Sequence, residues 1–137
     1  MKEKFPIKII LGKEQNRRFI AATSIDKFNG RTKNIRQELS YFELDYTILT
    51  KTICDLISSK SKDPRLYWLA GDSILNFLNR TDELGFYLER QNHTLARDIG
   101  ISESSIKKIV SFRRRFPKLS TVNPSISWAK YRNNKVV

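Results

Sequence analysis

The sequence has a single cysteine and a single histidine, and each scarcity removes a class of function. Cys54 has no partner for an internal disulfide and fits a reducing compartment. Flanked by Ile53 and Leu56, it reads as a small buried hydrophobe. Structural zinc takes four ligands, drawn mostly from cysteine and histidine, which Cys54 and His93 do not supply. The glycines Gly12, Gly30, Gly71, Gly85 and Gly100 are isolated from one another, so no phosphate-cradling loop is formed. Acids are few as well. The pairs Glu43 with Asp45 and Asp82 with Glu83 read as solvated surface or helix starts, not as metal-binding machinery. No stretch approaches the ~18 apolar residues that a membrane span needs. At the start, Lys2 and Lys4 precede only a short apolar run, Ile7 to Leu11, without the small-residue cleavage site of a secretory signal. These absences together read as a cytoplasmic protein that is not an enzyme, with no cofactor, no metal and no membrane.

What the chain has in excess is positive charge. Twenty-six lysines and arginines stand against fourteen aspartates and glutamates, a formal net charge of +12 in 137 residues. Such an imbalance costs folding energy through self-repulsion, and a polyanionic partner is its commonest explanation. From Ser104 to Val137 there are nine basic residues and no acid: Lys107, Lys108, Arg113, Arg114, Arg115, Lys118, Lys130, Arg132 and Lys135. The charge is therefore a local footprint. Ribosomal, RNA-binding and anionic-membrane proteins use the same charge, so it does not by itself select DNA.

Along the chain, residues 1–31 read as a small N-terminal β element, 32–117 as a helical domain, and 118–137 as a basic C-terminal tail. Phe5 to Leu11, bounded by Gly12, has the β-branched character of a strand. Arg17 to Ser24 fits a second strand or a helical turn. Asn29-Gly30 signals a turn, and Thr32 is a candidate N-cap. From Asn34 to Ser58, Ile35, Leu39, Phe42, Tyr46, Leu49, Ile53, Leu56 and Ile57 form one face of a long helix or two helices. That face fits core better than a coiled-coil dimer seam, since it holds too few heptads. After the polar break at Ser58 to Asp63, Pro64 opens a helix ending near Asn79. Asp82 reads as the cap of a further helix with Leu84, Tyr87 and Leu88 on its apolar side. The expected fold is mainly α.

The segment from Asn92 to Phe112 carries the clearest pattern, that of a helix-turn-helix. Ala96 is small where two helices must approach closely. Gly100 stands four residues later, where the turn needs a positive φ. Leu95, Ile99, Ile101, Ile106 and Ile109 supply the wedge between the helices, and Ser102 is the expected N-cap of the second. An ordinary helical hairpin inside a core would share some of these positions; the acid-free basic run that follows disfavours it. Once the buried positions are removed, Ser102, Glu103, Ser104, Lys107, Lys108 and Ser111 face outward, toward base edges in a major groove. Glu103 can accept from cytosine N4, and the serines and lysines can bond bases or phosphates. Arg113, Arg114, Arg115, Lys118, Lys130 and Arg132 then meet phosphates, which set affinity without reading sequence. The arginine triplet also suits a solvated helix C-terminus. Trp128 and Tyr131 fit either base stacking or a tail folded back onto the domain, the latter being favoured.

Tyr67-Trp68, Gly71, Ile74, Leu95, Ile99, Ser102, Phe112, Phe116-Pro117, Ser127-Trp128 and Tyr131-Arg132 form a further pattern. From Leu66 to Arg132 it resembles the domain that precedes the PD-(D/E)XK nuclease domain in YhcG-like proteins. The resemblance covers about half the chain and implies a helical DNA-targeting module. It carries over no nuclease activity, because the acids and lysine of that metal-dependent active site are not in these residues. Ser104-Ser105 stand where the family usually places a basic residue or asparagine.

The expectation is thus a double-stranded DNA-binding protein of modest sequence specificity, nucleoid-associated and serving transcription regulation, chromosome or plasmid maintenance, or nuclease targeting. It works as a homodimer or beside a nuclease partner. An RNA-binding module, or an accessory subunit whose basic face meets an acidic protein, are the alternatives.

Overall fold

The computed structural model describes residues 7–11, 19–23, 35–58, 62–83, 86–88 and 90–133. The expected turn at Asn29-Gly30, the cap at Thr32 and the cation Lys135 lie outside them. The fold is mainly helical, as expected. Strands β1 (Ile7–Leu11) and β2 (Phe19–Thr23) pair antiparallel, with Ile7 opposite Thr23 and Leu11 opposite Phe19. The open alternative at Arg17 to Ser24 thus resolves as a strand. β3 (Phe86–Leu88) joins the other edge of β2, with Ala21 opposite Leu88 and Thr23 opposite Phe86.

β3 corrects the sequence reading. No helix starts at Asp82, which lies in the last turn of the preceding helix. The stretch read as its apolar face is extended instead, and Phe86 and Leu88 are both buried, two residues apart. That alternation is the period of a strand, too short at three residues to be told from a helix by pattern. Leu84 lies outside the described residues. The small sheet is therefore not only N-terminal, since its third strand comes from the middle of the chain.

Helix α1 (Ile35–Ser58) is one continuous helix of 24 residues with no glycine or proline inside it. Phe42, Tyr46, Leu49 and Ile53, spaced four, three and four apart, are fully buried. This much of the face offered as a dimer seam is core. Helix α2 (Pro64–Glu83) follows, running past the expected end at Asn79. Proline suits its first position, where an N–H has no partner in any case. The Asp63 carboxylate accepts from the Arg65 amide at 3.0 Å and caps the helix. A side-chain hydrogen bond from the Arg65 guanidinium also holds the Asp63 carboxyl below its ordinary pKa. The cap therefore stays charged to a lower pH than an aspartate without this neighbour.

α1 and α2 pack through aromatic rings. Phe42 lies 5.5 Å from Phe77 and 5.8 Å from Phe86, and Tyr46 lies 5.7 Å from Phe77, centroid to centroid. Arg80 clamps Asp45 with two hydrogen bonds of 2.8 Å, joining the end of α2 to the middle of α1. These two helices form the platform on which the C-terminal half is mounted.

Candidate nucleic-acid interface

Helices α3 (Gln91–Ile99) and α4 (Glu103–Arg115) meet across a three-residue turn. The chain enters α3 through Arg90, whose φ of 50° is the left-handed conformation. It leaves through Gly100 at φ 90°, as the turn requirement predicted. The Ala96 carbonyl accepts from both Gly100 N at 2.8 Å and Ile101 N at 3.0 Å, which closes the end of α3. Leu95, Ala96, Ile99, Ile106 and Ile109 are buried between the helices and Ile101 is partly buried. Ser102 caps α4 by accepting from Ser105 N at 3.0 Å. The two-helix unit was legible in the sequence almost residue by residue.

The unit is fixed to the platform at defined points. Tyr46 donates its hydroxyl hydrogen to Asp98 at 2.6 Å, which ties α3 to α1. α4 lies against α2 at Gly71. A β-carbon there would sit 2.8 Å from the Ile109 carbonyl oxygen and 2.8 Å from the Arg113 β-carbon. Only glycine lets these two backbones come this close.

With one face of α4 buried by Ile106, Ile109 and Phe112, the other carries the expected row. Ser102, Glu103, Ser104, Lys107, Lys108 and Ser111 are all exposed, and Arg114 and Arg115 extend the row at the C-terminal end. Two open grooves flank it. One, on the α3 side, is lined by Gln91, Asn92, Lys107, Ser111, Arg114 and Arg115, with Val110 among them. The other, on the side of helix α5 (Trp128–Arg132), has Lys107, Lys108, Arg115 and Arg132 in its lining together with the rings of Phe112 and Tyr131. α4 is thus a basic ridge with a groove on each side.

Arg113 does not belong to that ridge. Its Nε donates to Asp72 at 2.9 Å, and its guanidinium lies 4.9 Å from the centroid of Trp68. The side chain is turned onto α2, where it neutralises a carboxylate and covers an indole. The triplet is therefore divided: Arg113 packs, and Arg114 and Arg115 stay outside. Helical geometry explains the division, because Arg113 follows Ile106 and Ile109 by seven and four residues.

Residues 118–133 are not a free tail. Val122, Trp128 and Tyr131 are buried in the common core. Trp128 stacks on Tyr67 with centroids 4.4 Å apart and planes 3° from parallel, and its amide donates to the Lys62 carbonyl at 2.9 Å. Phe112 sits 5.0 Å from Trp128 and 5.0 Å from Tyr131. Tyr131 accepts from the Asn123 amide at 2.9 Å through its hydroxyl, and Trp68 donates to the Phe116 carbonyl at 2.6 Å. These rings are committed to packing, which sets aside the base-stacking alternative for Trp128 and Tyr131. Lys118, Lys130 and Arg132 remain exposed on the folded-back segment.

Three residues of this surface were not among the expected contacts. Gln91 and Asn92 line the α3-side groove from the first turn of α3. The general geometry of the two-helix unit, in which the first helix meets the backbone by its N-terminus, was the signal that would have found them. The third is His93. It read as a surface residue of the capping region, and it is partly exposed, with its Nδ1 3.1 Å from Oε2 of Glu103. Among the described residues no cluster of three metal-ligating side chains occurs, and no helix is long and apolar enough to cross a membrane.

No protein-family model, curated protein or solved structure matches the chain.

Proposed function

We propose that this protein binds double-stranded DNA by laying α4 in the major groove, with basic side chains on both sides of the helix meeting phosphates. One observation carries the reading: the outward row of α4 is polar and basic, and a groove with lysine and arginine among its lining residues runs along each flank. With side chains a helix is about 10–12 Å across and fits a groove about 12 Å wide, and the 13 residues of α4 give roughly 20 Å to lie along it. Lys107, Lys108, Arg114 and Arg115 then serve the near backbone contacts, with Lys118, Lys130 and Arg132 on the folded-back segment. Gln91 and Asn92 present the α3 N-terminus to the other strand. Burial of Trp128 and Tyr131 supports a duplex over a single strand, since the rings that would stack on unpaired bases are occupied. The role is binding and targeting, in regulation or beside a nuclease as the family resemblance implies.

A dimer is part of the proposal. One helix offering mainly serine and lysine falls short of the ~4–10 kcal/mol by which specific sites exceed random DNA. Two-fold duplication would place half-sites about one helical turn apart. Its seam would lie elsewhere than Phe42, Tyr46, Leu49 and Ile53, which are core.

Binding to duplex DNA, single strands and duplex RNA at several salt concentrations tests the reading. Five to eight phosphate contacts give a log–log salt slope of roughly −5 to −7 on random duplex DNA. A slope near zero, or a preference for single strands, removes the proposal. Light scattering with a short inverted-repeat duplex tests the dimer separately.

A further inference from the structure

We infer that Glu103, held in place by His93, is the residue through which α4 discriminates between bases, and that it selects cytosine. This rests on the duplex-binding reading above. Glu103 is the first residue of α4 and His93 the third of α3, so their contact spans the turn between the two helices. The imidazole Nδ1 and the carboxylate Oε2 are 3.1 Å apart, with both side chains nearly half exposed. With the proton on Nδ1, the ring donates to one carboxylate oxygen and leaves Oε1 to a ligand. A glutamate without such a neighbour samples many rotamers, and this one is restrained before any ligand arrives.

The rest of the turn narrows the choice of reader. Ser102 accepts from the Ser105 amide, and its Oγ lies 2.9 Å from the Ser105 hydroxyl, so these two serines are engaged with one another. Ser104 and Ser111 have hydroxyls that both donate and accept and so suit any base, and Lys107 and Lys108, a turn further along, carry only donors, which serve phosphates, guanine or thymine without sharp choice. Glu103 has the opposite chemistry, as an ionised carboxylate only accepts. In the major groove only cytosine N4 and adenine N6 donate. Adenine N6 lies beside N7, an acceptor that repels the carboxylate; guanine O6 and N7 and thymine O4 repel it outright. Cytosine is the remaining partner. The same charge repels phosphates, so a helix out of register, with Glu103 against the backbone, is penalised where a neutral residue would be tolerated.

Selection of bound duplexes from a randomised pool, using the full chain, tests this. Competition between duplexes that differ at one base pair follows. The wild type should enrich cytosine at one position, with a preference of roughly 10-fold over the other bases. Glu103→Gln should move the preference to adenine, whose N6 and N7 suit an amide. Its affinity for random duplex should hold or rise, because a negative charge has gone. His93→Ala should keep cytosine but narrow the preference to roughly 3-fold, and His93→Gln, which retains a donor, should restore it. A melting curve for each variant separates folding from reading. If the wild type enriches no base while its salt-dependent binding is intact, the assignment of Glu103 fails and the proposed function stands. If Glu103→Gln still selects cytosine, the assignment fails equally. If no duplex binds at all, the proposed function fails with it.

Discussion

Helix α1 turns Phe42, Tyr46, Leu49 and Ile53 into the core and α4 turns Ile106, Ile109 and Phe112, yet the faces they leave outside have opposite chemistry. On α1 the outer stripe is Tyr41, Leu44 and Ile48, each more than half exposed, beside the Asp45–Arg80 clamp. On α4 it is Ser104, Lys107, Lys108 and Ser111. Both helices are amphipathic on the side that packs, so packing does not account for the contrast. The outer face is where sequence is free of the core, and there α4 carries lysines and serines where α1 carries apolar side chains.

The comparison breaks most completely if α4 is pushed off its platform. Gly71→Val places a side chain where the Ile109 carbonyl and the Arg113 β-carbon stand 2.8 Å away. The two helices must separate, at a cost on the order of 3 kcal/mol, and duplex binding should fall with the fold. Thermal melting measures it, and an unchanged midpoint would mean that the α2–α4 approach is not as close as described. Gly100→Val should cost somewhat less, on the order of 1–3 kcal/mol, because it strains a φ of 90° without meeting a neighbouring atom.

A second test separates the outer face of α4 from its inner one. Lys107→Ala with Lys108→Ala should weaken random-duplex binding by roughly 10- to 100-fold and flatten the log–log salt slope by roughly 2. Melting should hardly move, since both side chains are exposed. Normal binding by this double variant would remove α4 from the groove. The arginines sharpen the same point within three consecutive residues. Arg113→Ala should lower stability by about 1–3 kcal/mol by uncovering Trp68 and leaving Asp72 with the Asn76 amide at 3.3 Å but without its cation. Arg114→Ala should leave stability alone and flatten the salt slope by roughly 1. Identical effects from the two would contradict their division between core and surface.

The two-helix unit was legible because each of its positions has a physical requirement that one residue type meets: Ala96 for closeness, Gly100 for its φ, Ser102 for the cap. The exposed row followed by subtraction. β3 was not legible, because three residues carry no period and its partner strand lies more than sixty residues away in sequence. Nor was the inward turn of Arg113, since charge along a sequence does not tell which carboxylate, here Asp72 on α2, stands opposite. The His93–Glu103 contact was hidden in the same way: its members are ten residues apart, and only the turn brings them together.

The smallest expected effect lies on α1. Leu44→Gln and Ile48→Gln alter side chains that are 57% and 54% exposed, on the outer face of the helix. Glutamine is as good a helix former as leucine and better than isoleucine. Each change should therefore move stability by no more than about 0.5 kcal/mol. Random-duplex binding should stay within twofold of wild type, because this stripe carries no charge to lose. The measurement is a melting curve at two protein concentrations tenfold apart. A loss of about 2 kcal/mol at either position would show that the stripe is covered in solution, since an exposed side chain has too little burial to lose that much. If the wild-type midpoint then rose with concentration, a second copy would be what covers it, and the contrast between α1 and α4 would be one between two kinds of contact surface.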